Sequence, residues 1–222
     1  MKIRSKNFVI FSMVFMVLIF SCNKKNKEVN ISKNQSERAI IGEEKPPAEI
    51  DYSNYYKKAQ QYCKNNNLNQ NQFMLIDLGV HSGLKRFFVY DFKNKKKSKS
   101  YIVSHGCGAN EWGRTNSKLD APISNEFDSH CSSLGKYVIL DRGVSQWGIK
   151  VNYILKGKDK SNSNAASRAI VLHSWEAIPT DEVYPEGTPE GWGCPAVSNE
   201  SMREIDELLK TNKKVLMWII KS

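Results

Sequence analysis

The 222 residues carry 33 Lys and Arg against 23 Asp and Glu, a net charge of +10, and 40% of them are hydrophobic. That length and apolar share suit one domain with a real core plus a tail, and leave little room for several domains. The charge admits an anionic polymer or membrane as partner, but no basic helix or aromatic–arginine interleaving points to nucleic acid, and scattered lysines also serve solubility.

The chain opens on Lys2, Arg4 and Lys6 ahead of an apolar run from Phe8 to Phe20, too short for a comfortable membrane span. The run ends Leu18-Ile19-Phe20-Ser21-Cys22, which resembles the lipobox of bacterial lipoproteins, where Cys22 becomes the acylated first residue. A plain signal peptide or signal anchor is the alternative. Residues 1–21 are therefore expected to be a lipoprotein signal peptide, and residues 22–50, rich in Lys, Asn, Glu and Ser, a disordered tether. Residues 51–222 are left as the folded domain.

Tyr52 to Lys64 places Tyr52, Tyr55, Tyr56, Ala59, Tyr62 and Cys63 at helical spacing, with Asp51 or Ser53 as caps. Cys63 falls on the apolar face and reads as core. Strands follow at Phe73–Leu78 and Arg86–Phe92 around a loop holding His81, read as solvated. Lys93–Lys97 reads as a basic turn and Ser100–Ser104 as a third strand. Two His/Cys pairs come next, His105 with Cys107 and His130 with Cys131. Their spacing lacks the gaps of common zinc sites, a Cys107–Cys131 disulfide suits an oxidising compartment, and turns of this kind also line clefts. Lys136–Leu140 and Gly148–Leu155 read as strands joined at Asp141-Arg142-Gly143. After the segment discussed next, Ser198 or Asn199 caps a helix, with a capping-box spacing from Ser201 to Glu204. Met202, Ile205, Leu208 and Leu209 form its apolar face, and Val215–Ile220 closes the chain as a strand.

Between these elements, Arg168 to Ser198 concentrates the chemistry. The apolar run Ala169-Ile170-Val171-Leu172 reads as a buried strand that delivers His173 at its end. Trp192-Gly193-Cys194-Pro195-Ala196 puts a cysteine on a glycine–proline turn. A thiolate needs a nearby base to form it, and a glycine beside it lets backbone N–H groups approach an oxyanion. Asp181, Glu182, Glu186 and Glu190, spaced by Pro179, Pro185 and Pro189, read as a solvated rim loop or lid.

The order histidine, lid-like loop, Gly-Cys resembles the L,D-transpeptidase catalytic domain of bacterial cell-wall enzymes, in the branch with Trp-Gly-Cys-Pro-Ala. The likeness runs from about Asp51 to the chain end. The wider family reads Ser/Thr-His-Gly-Cys followed closely by Arg; here Gly191-Trp192-Gly193-Cys194 is followed by Pro195, without that serine or that arginine. The resemblance implies a mainly β (α+β), β-sandwich-like domain with an N-terminal and a C-terminal helix.

It implies Cys194 as nucleophile, His173 as base, and the Gly193 and Cys194 N–H groups as oxyanion donors. Trp192, His105 and Ser133 become candidates for the substrate cleft, and cleft lining the favoured reading of the Gly/Ser loops. The implied reaction is release of D-alanine from a peptidoglycan stem tetrapeptide through a thioester, then transfer to an amine as in a 3–3 cross-link. No metal or cofactor is called for. The partners implied are stem peptides, and a membrane through lipidated Cys22, for a monomer in the bacterial cell envelope facing the periplasm. Water as acceptor would give an L,D-carboxypeptidase or endopeptidase. A papain-like amidase has the opposite order of cysteine and histidine, and a peptidoglycan-binding lipoprotein without turnover is the reading of a different class.

Overall fold

Strand β1 (Gln72–Asp77) shows how the core divides. Its side chains alternate between two apolar clusters, Met74 and Ile76 on one face, Phe73 and Leu75 on the other, all buried. The period of two is the strand's own. The computed structural model describes residues 50–222; Cys22, the expected signal peptide and all but the last residue of the expected tether lie outside them.

Helix α1 (Ser53–Asn65) covers the Phe73 and Leu75 face, burying Ala59 and Cys63. Burial pushes the Cys63 thiol up to about 12, in keeping with a packing role. Asp51 accepts a hydrogen bond from the Ser53 N–H at 2.8 Å, but no side chain caps the helix itself. Helix α2 (Asn199–Thr211) covers the other face with Met202, Ile205 and Leu209. Its cap is Ser198, whose buried hydroxyl accepts from the Ser201 N–H at 3.1 Å. The Ser201–Glu204 box is not made; Glu204 instead accepts from Lys99 and Tyr101. Ser198→Ala is expected to cost about 1 kcal/mol, read as a lower urea midpoint with an unchanged slope.

The remaining strands are β2 (Phe87–Asp91), β3 (Lys96–Tyr101), β4 (Gly135–Val144), β5 (Val151–Gly157), β6 (Val171–Ser174), β7 (Ala196–Val197) and β8 (Leu216–Ile220). They form one mixed sheet in the order β3-β2-β1-β8-β4-β5-β6-β7, with β1–β8 and β6–β7 parallel. The sheet curls nearly into a barrel. Beyond β3 the Ser104 N–H donates to the carbonyl of Ala196 on β7, at 2.8 Å, and Gly106 bridges to Gly191. The mainly β architecture with a helix at each end is as the sequence implied.

Two expectations change. The lysines read as a turn partly build β3, an edge strand with one free side where charged side chains stay in water. The expected break at Asp141-Arg142-Gly143 is continuous strand with a register irregularity, and there Arg142 grips Asp206 of α2 at 2.7 and 3.0 Å.

Candidate active site

Parallel pairing of β6 with β7 sets His173 opposite Ala196, two residues beyond Cys194. The His173 N–H bonds the Pro195 carbonyl at 3.3 Å, so the cysteine turn is hung from the histidine strand. Gly193 takes φ +96°, and a Cβ there would collide with the Cys131 carbonyl oxygen. Only glycine fits this turn. Among the described residues, the Gly193 and Cys194 N–H groups donate no hydrogen bond.

His173 Nδ1 lies 3.0 Å from the Ser174 carbonyl, which can only accept. The ring proton therefore sits on Nδ1 and Nε2 carries the lone pair. Burial lowers the imidazole pKa, partly opposed by that same bond, so the ring is neutral near pH 7. Cys194 is half-buried against the main core. Burial raises its thiol pKa, opposed by the Val171 N–H and by the charge of Arg168. The sulfur accepts from that N–H at 3.4 Å and points to the Ala169 carbonyl at 3.8 Å, with no bond to His173. Ala169 adopts φ +53°, a left-handed kink that turns its segment toward the sulfur.

Cys194 and His173 share a cleft of about 150 Å³ with Trp112, Trp147, Trp175, Gly191, Trp192 and Ala196. Trp192 is 61% exposed and stacks on His130 at 4.9 Å. The other two cleft candidates lie behind the cleft wall. His105 is fully buried, its Nδ1 accepting from Arg86 at 2.8 Å and its Nε2 unpartnered, 4.0 Å from Glu190. Burial, aided by the Arg86 charge, pushes it down to about 3. Its carbonyl accepts from Gly191 at 2.7 Å, so it props the cysteine turn from beneath. Ser133 is buried against the Tyr137 hydroxyl, 2.7 Å away. Cys107 and Cys131 are free, buried thiols.

The lid is fastened. Glu190, read as solvated, is fully buried and accepts from the Ser117 N–H at 2.5 Å. Glu182 accepts from Lys85 N–H at 2.8 Å, and Glu186 pairs with Lys118 at 3.1 Å. His81, also read as solvated, is buried against Tyr184.

Arg168 escaped the sequence reading. Its guanidinium donates to the Cys131 carbonyl at 2.6 Å, the Ser124 carbonyl at 3.1 Å and the Ser129 hydroxyl at 3.3 Å. A Cβ on Gly193 would lie 3.2 Å from its Nη2. A cation thus stands beside the cysteine turn, where the sequence after Cys194 lacks one.

A mainly β domain with a strand-end histidine and a turn cysteine in one cleft is the class that fold and site define. The chain belongs to the L,D-transpeptidase catalytic domain family, whose model matches residues 47–218. That family acts on peptidoglycan stem peptides, in the cell envelope. Solved structures similar to the chain include an L,D-transpeptidase from Xylanimonas cellulosilytica DSM 15894, at 13% identity and TM-score 0.36, covering 67% of this chain and 60% of that one. Another is the helical cell shape determining protein Pgp2 from Campylobacter jejuni, at 12% identity and TM-score 0.38, covering 77% and 56%. A third is L,D-transpeptidase 3 from Mycobacterium tuberculosis in complex with a faropenem-derived adduct, at 10% and 0.36, covering 68% and 60%. The chain thus spans less than two thirds of the length of each. No curated protein matches it.

Proposed function

We propose that the protein is a peptidoglycan L,D-transpeptidase acting through a thioester on Cys194. The observation that carries this is the fixed His173 tautomer: Nδ1 is committed to Ser174, so Nε2 is a free base in the cleft that Cys194 lines. A turn of the Cys194 side chain takes the thiol off Val171 and onto Nε2. The thiol proton passes to His173, and sulfur attacks the stem-peptide carbonyl before the terminal D-alanine. The free Gly193 and Cys194 N–H groups receive the oxyanion, each worth about 3 kcal/mol. His173 then protonates the leaving D-alanine, and an amine resolves the thioester; water there would give a carboxypeptidase. His105 and Ser133 hold the walls, and Trp192 faces the substrate.

The first 21 residues serve in this reading as a lipoprotein signal, with Cys22 the lipid anchor and residues 22–50 the tether of a monomeric periplasm-facing domain. The lipobox-like run supports it, as does a family match that begins at residue 47. The Trp-Gly-Cys-Pro-Ala segment supports the branch.

Intact mass spectrometry of the reduced protein tests the reaction. Incubation with a carbapenem is expected to add one drug mass, and a disaccharide-tetrapeptide is expected to lose D-alanine. No change with either would favour a stem-peptide-binding protein without turnover, a reading supported by the thiol resting on Val171 rather than on His173.

Two further results are expected. Protonated His173 accepts no proton, and its folded pKa lies below the ordinary value of 6.5. Acylation should therefore fall to half its plateau only at a pH below 6.5; a midpoint above 6.5 would contradict this. Arg168→Met removes the charge that lowers the thiol pKa. The alkylation rate of Cys194 by iodoacetamide should then rise with pH later than in the parent protein, with the midpoint displaced upward.

A further inference from the structure

Three of the chain's five tryptophans meet at one side of the cleft. Trp112 lies beyond β3, Trp147 on the β4–β5 turn and Trp175 directly after β6. Trp175, buried, stacks beneath Trp112 at 4.8 Å and 26°. Trp147 leans on Trp112 at 6.1 Å and 42°, and meets Trp175 edge-on at 6.3 Å. Trp112 and Trp147 each remain 44% exposed. The corner is held in place by the turn beneath it. Gly148 takes φ +52°, where a Cβ would collide with the Ser174 hydroxyl, and the Ile149 N–H donates to that hydroxyl at 3.0 Å. The turn bearing Trp147 is thereby drawn against the end of the His173 strand.

Two carboxylates stand next to the indoles of the corner. The Glu176 carboxylate, next to Trp175, accepts from the Gly148 N–H at 3.2 Å, next to Trp147. Glu111 precedes Trp112 and is paired with Arg114. Lys150, on the same turn as Trp147, is bonded to the Gln146 carbonyl. Among the described residues, no lysine or arginine lines the cleft. Indole faces carry negative potential and attract an ammonium within about 6 Å of the ring centre, tryptophan more strongly than any other side chain. Two exposed indoles in a concave corner, with the Glu176 carboxylate held against the turn that bears Trp147, match an alkylammonium group.

We propose that Trp112, Trp147 and Trp175, with Glu176, form the subsite that receives the acyl acceptor as an alkylammonium side chain. This rests on the thioester reading above and deepens it, since it makes an amine rather than water the acceptor. The bound ammonium releases one proton to solvent and becomes the amine. Its nitrogen attacks the thioester carbonyl, forming the C–N bond as the C–S bond breaks. The second proton passes through His173 Nε2 to the departing Cys194 sulfur, restoring the thiol.

Tryptophan fluorescence of the full chain carrying Cys194→Ala tests the subsite without any acylation. The probes are the methylamides of Nα-acetyl-lysine, of its Nε-trimethyl form, which is a permanent cation, and of its neutral Nε-acetyl form, with N-acetylglucosamine alongside. Both cations are expected to quench, and the neutral amide to bind about ten-fold more weakly or not at all. Trp147→Leu should weaken the trimethyl cation about ten-fold and Trp147→Phe should recover most of the loss, while Glu176→Gln should weaken it several-fold. Equal quenching by the neutral amide would overturn the proposal, as would unchanged affinity in Trp147→Leu. Binding of N-acetylglucosamine in preference to the cations would overturn it too, and assign the corner to a sugar ring. A cation that binds to a protein forming no acyl-enzyme would sink only the thioester reading. An acyl-enzyme whose corner ignores cations would sink only this one.

Discussion

Cys194→Ala is expected to abolish both the carbapenem adduct and D-alanine release, a loss of at least about 10⁴-fold in rate. The substitution removes one sulfur from a half-buried site, so thermal stability should move by only a few degrees. His173→Gln should lose nearly as much, and the double variant little more than either single one, because nucleophile and base act as a unit. Peptide mapping of the adduct distinguishes Cys194 from Cys107 and Cys131. Those two are buried thiols, and burial pushes the Cys107 pKa up. An adduct that persists in Cys194→Ala would remove the cysteine from the mechanism.

Arg86→Met is expected to cost roughly 3–5 kcal/mol of stability, measured by urea unfolding. The guanidinium is fully buried and donates to the Val103 and Val80 carbonyls and to His105 Nδ1. Burial pushes its pKa down to about 9, and the charges of Asp77 and Glu190 hold it up. Methionine keeps the volume but strands two carbonyls and an imidazole, and leaves two buried carboxylates without their cation. Because His105 and Glu190 both support the chain around Gly191, carbapenem acylation should fall along with stability. A folded variant with parental stability would show that the buried charge is replaceable by apolar packing.

The elements that carry His173 and Cys194 were legible because each is announced locally, one as an apolar strand and the other as a glycine turn. The alternation in β1 and the apolar stripe of α2 were legible for the same reason. Convergence over long separations was not. Trp112, Trp147 and Trp175 come from three connections, and no local pattern marks them as neighbours. Arg168 reads as a charge at the start of an apolar run until the loop around Ser129 and Cys131 folds over it. Glu190 carries the same chemistry as the exposed acids beside it, and only its partners, Ser117 N–H and His105, distinguish it. Asp141-Arg142-Gly143 has turn composition, but a contact with Asp206 on a distant helix outweighs local preference.

The near-closure of the sheet has a consequence for how the protein keeps its own company. An open sheet presents two rows of unpaired peptide groups, and each is a template for another chain. Here one outer strand, β7, is two residues long and is met by the Ser104 N–H. The other, β3, carries Lys96, Lys97 and Lys99, so two copies brought edge to edge would oppose like charges. Residues that a charge tally assigns to general solubility thus stand along the long outer strand, where polymerisation by strand addition would begin.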